Sequence, residues 1–166
     1  AAPGALTMGH RAAEKAVEYA SKMESVPQGE GEEPVVAFCQ EIVDRGEEGD
    51  PWQDAQAFIQ NTMNYYNHHV KSETMAERGL EYMDYLRDTM KLKAANPHEM
   101  THCLEIRNLI ECAELVLRGT IEREESRYFL LQRVDYPERD DENFHCWLAQ
   151  RKEGDEVVVE KRYPEL

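Results

Sequence analysis

Asn96-Pro97-His98-Glu99-Met100-Thr101-His102-Cys103-Leu104-Glu105-Ile106-Arg107-Asn108-Leu109-Ile110-Glu111-Cys112-Ala113-Glu114-Leu115-Val116-Leu117-Arg118-Gly119-Thr120-Ile121 decides the fold of this chain. Met100, Cys103, Arg107, Ile110, Ala113, Leu117 and Ile121 recur at spacings of three and four, the period of one helix face. Asn96-Pro97 supplies a cap and a first-turn residue, so the pattern predicts a long amphipathic helix from there to about residue 125. Glu114 to Arg118 and Arg118 to Glu122, each four apart, read as its solvated face.

Two more helical patterns lie upstream. Residues 73–92 carry Met75, Gly79, Met83, Leu86 and Met90 on one stripe, and residues 51–71 carry Trp52, Ala55, Ile59, Thr62, Tyr66 and Val70. Asp50 reads as the N-cap of the latter, with Pro51 at its first helical position. The connections at 71–73 and 92–97 are short, which makes neighbouring helices antiparallel. The expected fold is mainly α: an up-down-up, spectrin-like three-helix bundle with an extra N-terminal helix and a C-terminal β-hairpin.

The extra helix covers residues 5–24, and Pro27-Gln28-Gly29-Glu30-Gly31-Glu32-Glu33-Pro34 reads as a linker before a short helix at 35–45. From residue 128 the helical period is lost, and Phe144–Arg151 and Glu156–Arg162 flank a turn at Lys152-Glu153-Gly154-Asp155. Val157-Val158-Val159 supports the strand assignment. The organisation expected is 1–24, a linker with a short helix at 25–50, a bundle domain at 51–143 and a hairpin tail at 144–166.

Composition excludes several function classes. With 34 acidic against 19 basic residues among 166, the net charge of −15 disfavours nucleic acid as a partner. No apolar run reaches membrane-spanning length and no signal peptide is visible, so the expected location is cytoplasmic. Cys39, Cys103, Cys112 and Cys146 are scattered and read as free thiols, not as an iron–sulfur or zinc framework.

The site candidates follow from residue chemistry. His68 and His69, adjacent on a helix, would point about 100° apart and not share an ion. His98 and His102 have a spacing that can hold zinc, yet no third ligand accompanies them, and no metal site is assigned. His145 beside Cys146 sits on alternating strand faces, which opposes a nucleophile pair. Arg127 is surrounded in sequence by carboxylates, and a guanidinium fork suits a clasp better than catalysis. The expected structural clasp is Glu125, Arg127, Arg133 and Asp135, with Arg127 and Asp135 pinning residues 128–143 to the bundle. No catalytic residue is assigned.

The helix Leu104–Leu117, the run Arg123-Glu124-Glu125-Ser126-Arg127, then Asp135-Tyr136-Pro137 and Asp140-Asp141-Glu142-Asn143 resemble, in order and spacing, the C-terminal signature of flavoprotein subunits in the fumarate reductase, succinate dehydrogenase and adenylylsulfate reductase family. The resemblance covers about residues 51–148. In that family the signature lies outside the catalytic centre. The family pattern has Gly after the Arg and His two positions later; here Tyr128 and Phe129-Leu130-Leu131 stand instead. That departure, with Phe144-His145-Cys146-Trp147 and a terminal hairpin, looks more like the adenylylsulfate reductase α-subunit branch.

Pro3-Gly4-Ala5-Leu6-Thr7-Met8-Gly9-His10-Arg11-Ala12-Ala13 resembles the last FAD-contacting helix of the family's flavin domain. The resemblance implies that residues 1–24 are that helix, and that the backbone of Ala5 and Leu6 faces the flavin. The glycine-rich dinucleotide motif, the capping domain and the substrate-binding residues would all precede Ala1. The chain is therefore expected to be the C-terminal domain of a FAD-dependent oxidoreductase, without turnover or tight FAD of its own. Its partners would be the rest of the flavoprotein and an iron–sulfur subunit, with no nucleic acid and no membrane span. A homodimer would follow if the helix at 5–24 has lost its native neighbour. The competing expectation is a stand-alone acidic helical interaction module.

Overall fold

The computed structural model describes residues 2–23, 32–128, 131–154 and 156–163. Most of the expected linker, Phe129, Leu130, Asp155 and the last three residues lie outside that set. The chain divides into two compact units, Ala1–Ala37 and Phe38–Leu166.

The first unit contains helix α1 (Ala2–Ala20) and the start of α2 (Glu32–Arg45). Taken by itself, α1 carries Leu6, Met8, Val17 and Tyr19 exposed. It begins three residues before the predicted start, and three turn hydrogen bonds over Ser21–Met23 close it short of residue 24. Helix α2 also starts early, at Glu32. Pro34 then falls in the first turn, where its missing N–H has no partner to lose. Gly46, with φ of 63°, ends α2 in the left-handed conformation glycine tolerates.

The second unit is built on α3 (Trp52–Tyr66), α4 (Glu73–Thr89) and α5 (Pro97–Glu122), each packed on the other two. Ile42 of α2 joins Ala55, Ile59, Ala76, Met83, Leu86, Leu92, Cys103, Ile106, Ile110, Ala113 and Leu117 in one core. The three predicted stripes supply most of these positions. Ala76 and Ile106, adjacent to the stripes, complete it because a globular helix buries a band wider than a single seam.

Each bundle helix ends earlier than its periodicity predicts, and after α3 and α4 a tertiary partner takes up the following backbone. Helix α3 stops at Tyr66, not 71. Residues Val70–Lys71 instead form strand β1, paired in parallel with β2 (Gln132–Arg133). Gln132 N–H donates to His69 O at 3.0 Å and Val134 N–H to Lys71 O at 2.9 Å. Helix α4 stops at Thr89 because the following loop bonds to Asp50. Asp50 N–H donates to Lys91 O, Lys93 N–H to Asp50 O, and Lys91 N–H to Asp50 Oδ2. Asp50 is therefore not the N-cap of α3. Pro51 occupies that position and the Asp50 carboxylate holds the 90–93 loop. Gly49 permits this approach, since a Cβ there would lie 2.5 Å from Lys91 O. Helix α5 begins as predicted, with Asn96 Oδ1 accepting from Glu99 N–H.

The predicted ion pairs on the outer face of α5 are not made. Glu114 reaches α4 and takes Arg87, and Arg118 Nε is buried without a partner among the described residues. Glu114 and Arg118 are half-buried here, while Glu122 remains exposed.

Past α5, a single turn α6 (Asp141–Phe144) leads into β3 (Trp147–Glu153) and β4 (Glu156–Arg162). The two strands pair antiparallel from Trp147 opposite Arg162 to Glu153 opposite Glu156. Phe144, expected in the hairpin, instead ends α6 and is buried, with Lys161 Nζ 3.8 Å from its ring centre. Gln150 Nε2 donates to Leu115 O at 2.8 Å and so ties the hairpin to α5. Among the described residues no helix is long and apolar enough to cross a membrane.

Gly79 is the closest approach within the bundle: a Cβ there would meet Leu117 side-chain carbons at 2.9 and 3.1 Å and Tyr66 Cβ at 3.2 Å. Gly79→Val is expected to lower stability by about 1–3 kcal/mol through overpacking, measured by urea denaturation of the full chain. A rise in stability would mean that α4 and α5 are not packed as described.

Candidate functional site

The densest chemistry lies where α5 ends and the tail begins. Two charged nodes are built there, joined by Ser126.

The first node is Glu125, whose side chain is fully buried. A lone buried carboxylate would be costly, so its partners decide its state. Arg123 Nη1 donates to Oε1 at 2.6 Å, and Arg127 donates from Nε to Oε1 and from Nη2 to Oε2, both at 2.8 Å. The Asp140 N–H adds a fourth bond at 3.0 Å. Burial pushes the Glu125 carboxyl up, but these donors, Arg127 first, outweigh it and hold the group below its ordinary range. Both arginines then reach onward. Arg123 donates to Phe144 O and Cys146 O, and Arg127 to Asp141. One buried carboxylate thus fixes α6 and the entrance to the hairpin.

The second node is the Arg133–Asp135 fork. Arg133 Nε and Nη2 donate to the two Asp135 oxygens at 2.8 and 2.6 Å, a bidentate pair. Arg133 Nη1 donates to Thr120 O and Arg123 O, carbonyls at the C-terminal end of α5. Asp135 Oδ2 accepts from Glu73 N–H, at the N-terminus of α4. The guanidinium therefore faces the negative end of one helix and the carboxylate the positive end of another. The Arg133 guanidinium holds the Asp135 carboxyl down at about 2. Arg133 is buried and also lies over the Tyr136 ring, 5.0 Å from its centre.

Ser126 links the nodes. The single Oγ proton is within reach of both Tyr136 O at 2.9 Å and Arg133 O at 3.2 Å, and Oγ accepts from Arg133 N–H, while the Ser126 N–H donates to Glu138 O. Arg127 N–H donates to Leu131 O at 2.7 Å, and Tyr128 has φ 56° with its ring exposed. The family pattern that the sequence resembles has glycine here, and the left-handed backbone explains that residue type.

The four clasp residues are thus brought together as two pairs, Glu125 with Arg127 and Arg133 with Asp135. Arg127 and Asp135 do not meet. Sequence reasoning missed Arg123, Ser126 and the two helix ends. The Arg123-x-Glu125-x-Arg127 alternation was a readable signal for the first node, whereas backbone acceptors leave no trace in side-chain types.

The histidines are placed differently from expectation. His68 and His69 lie beyond the end of α3, in a bend, so the helical argument for their divergence does not apply. His69 Nδ1 and His68 Nε2 are 3.1 Å apart. His102 stacks on Trp52 with ring centres 4.0 Å apart. Cys103 is buried, its Sγ donating to Lys93 O, and burial pushes its thiol up. Among the described residues, no group of three or more His, Cys, Asp or Glu side chains is arranged to hold a metal. Leu6 lies beyond the open N–H donors of a helix starting at Ala2, and Ala5 lies at their margin.

The fold and its charged junction define a mainly helical domain, a three-helix bundle to which an Arg- and Asp-rich tail is clasped. The family described as fumarate reductase flavoprotein C-term matches residues 56–164, and the chain belongs to it. It is 24% identical to the fumarate reductase flavoprotein subunit of Mycobacterium tuberculosis over 92% of this chain and 28% of that protein. The adenylylsulfate reductase of Archaeoglobus fulgidus shares its fold at a TM-score of 0.78 and 23% identity, over 93% of this chain and 28% of that one. Mycobacterium smegmatis Sdh1, solved in complex with UQ1, does so at 0.75 and 18%, over 91% and 27%. The chain therefore spans little more than a quarter of the proteins it matches.

Glu125→Gln is expected to lower stability by about 3–5 kcal/mol, because it leaves two half-buried guanidinium groups facing a neutral amide. Asp141→Asn, at the exposed edge of the same network, should leave stability close to that of the unsubstituted chain. Denaturation of both full-length variants tests this; equal losses would mean that Glu125 is not the centre of the node.

Proposed function

We propose that the chain serves as the C-terminal structural and subunit-contact domain of a FAD-dependent oxidoreductase in the adenylylsulfate reductase-like branch of this family. The observation that carries the reading is the mutual satisfaction of Glu125, Arg127, Arg133 and Asp135. Their charges are directed at one another and at helix ends, as in a clasp, and not into a cleft where a substrate would react.

In this reading residues 1–24 are the final helix of the FAD-binding domain and 25–50 a linker with a short helix. Residues 51–143 form the bundle that packs on the flavin domain, and 144–166 the hairpin tail. The flavin would exchange two electrons with a small acid or sulfur substrate, using residues of the parent enzyme. An iron–sulfur subunit would carry electrons to or from it, in the cytoplasm. The backbone of Ala5 and Leu6 would face the flavin. With α1 starting at Ala2, Ala5 lies at the margin of its open donors, which suit an electron-rich ring edge, and Leu6 lies beyond them.

The chain alone then has no turnover and only weak hold on FAD. Gel filtration of the full chain after incubation with excess FAD should yield protein without stoichiometric flavin absorbance. Stoichiometric retention would overturn the reading.

A further inference from the structure

We propose that His98 and His102 form a chelate for a divalent transition-metal ion of the zinc type on the first two turns of α5. Three observations in the second unit carry it. The first is the bite: His98 Nε2 and His102 Nε2 lie 3.3 Å apart. Two nitrogens each about 2.0–2.1 Å from a tetrahedral zinc ion are about 3.3–3.4 Å apart. The same separation also suits a hydrogen bond between the two rings, which a bound ion would replace.

The second is orientation. His102 Nδ1 donates to Glu105 Oε2 at 2.7 Å. That bond holds the ring proton on Nδ1 and leaves the Nε2 lone pair directed at His98. A carboxylate behind a ligating imidazole is the usual outer-shell support of a zinc histidine.

The third is rigidity. The Trp52 indole stacks on the His102 ring at an interplanar angle of 22°. The backbone carrying His98 is fixed by the Asn96 cap and by Glu99 Oε2 accepting from Ala95 N–H. His98 is exposed and His102 half-buried, so the ion has an open approach from solvent.

Imidazole nitrogen suits zinc, copper and nickel over magnesium or calcium. Two protein ligands leave the remaining positions to water, so this is an exchanging site and not a closed structural one. Bound metal would staple the start of α5 and, through His102 and Trp52, the start of α3.

The test is a zinc titration of the full chain, followed by calorimetry and by the imidazole nitrogen NMR signals. One saturable site is expected, with the Nε2 signals of His98 and His102 moving together. His98→Ala, an exposed change that leaves the Trp52 stack in place, should weaken zinc at least tenfold. Glu105→Gln should weaken it about tenfold while both histidines remain. Unchanged affinity in His98→Ala, zinc shifts confined to His68 and His69 or the cysteines, or no saturable binding below the millimolar range would each overturn the proposal.

Discussion

The arrangement of this domain depends on one ion pair placed between two helix ends. Arg133 caps the carbonyls that α5 leaves open, and Asp135 caps an amide that α4 leaves open. Orphan groups at two helix ends are thereby satisfied by a single three-residue segment of the tail, Arg133 to Asp135. The β1–β2 ladder runs through the same residues, since Arg133 pairs with Lys71 in register. If the fork fails, the end of α5, the start of α4 and the tail lose their common anchor at once.

The Glu125 node works beside it on the other side of Ser126. A buried ion pair is seldom the most stabilising way to fill space, because desolvation offsets much of the attraction. What charges provide here is direction. Arg123 and Arg127 have one geometry in which both reach Glu125 and also Phe144 O, Cys146 O and Asp141. An apolar plug at position 125 would not specify where α6 and the hairpin sit.

The bundle was legible in the sequence because burial imposes a period, and the stripes through Ile59, Met83, Ile110 and Leu117 repeat it over many turns. The hairpin was legible through its turn and its β-branched run. The C-terminal helix ends were not, because Val70, Lys91 and Arg123 take partners far along the chain. Asp50 shows the same limit: its type and its proline neighbour fit an N-cap, but the Lys91 backbone claims its carboxylate. Glu125, Arg127, Arg133 and Asp135 were identifiable as a charged cluster, whereas their pairing depends on where α5 stops. The His98–His102 spacing was visible, and its bite and its Glu105 support were not.

These features describe a domain whose charged signature organises its own helix ends and tail, with contacts to a parent flavoprotein and redox chemistry elsewhere in it as the proposal. The most direct measurement of the central claim is a double-mutant cycle on the full chain, combining Arg133→Met and Asp135→Asn and reading stability by urea denaturation. A coupling of about 1–3 kcal/mol is predicted, since each residue's role at its helix end requires the other. Additivity within about 0.5 kcal/mol would contradict the fork as the anchor of the fold.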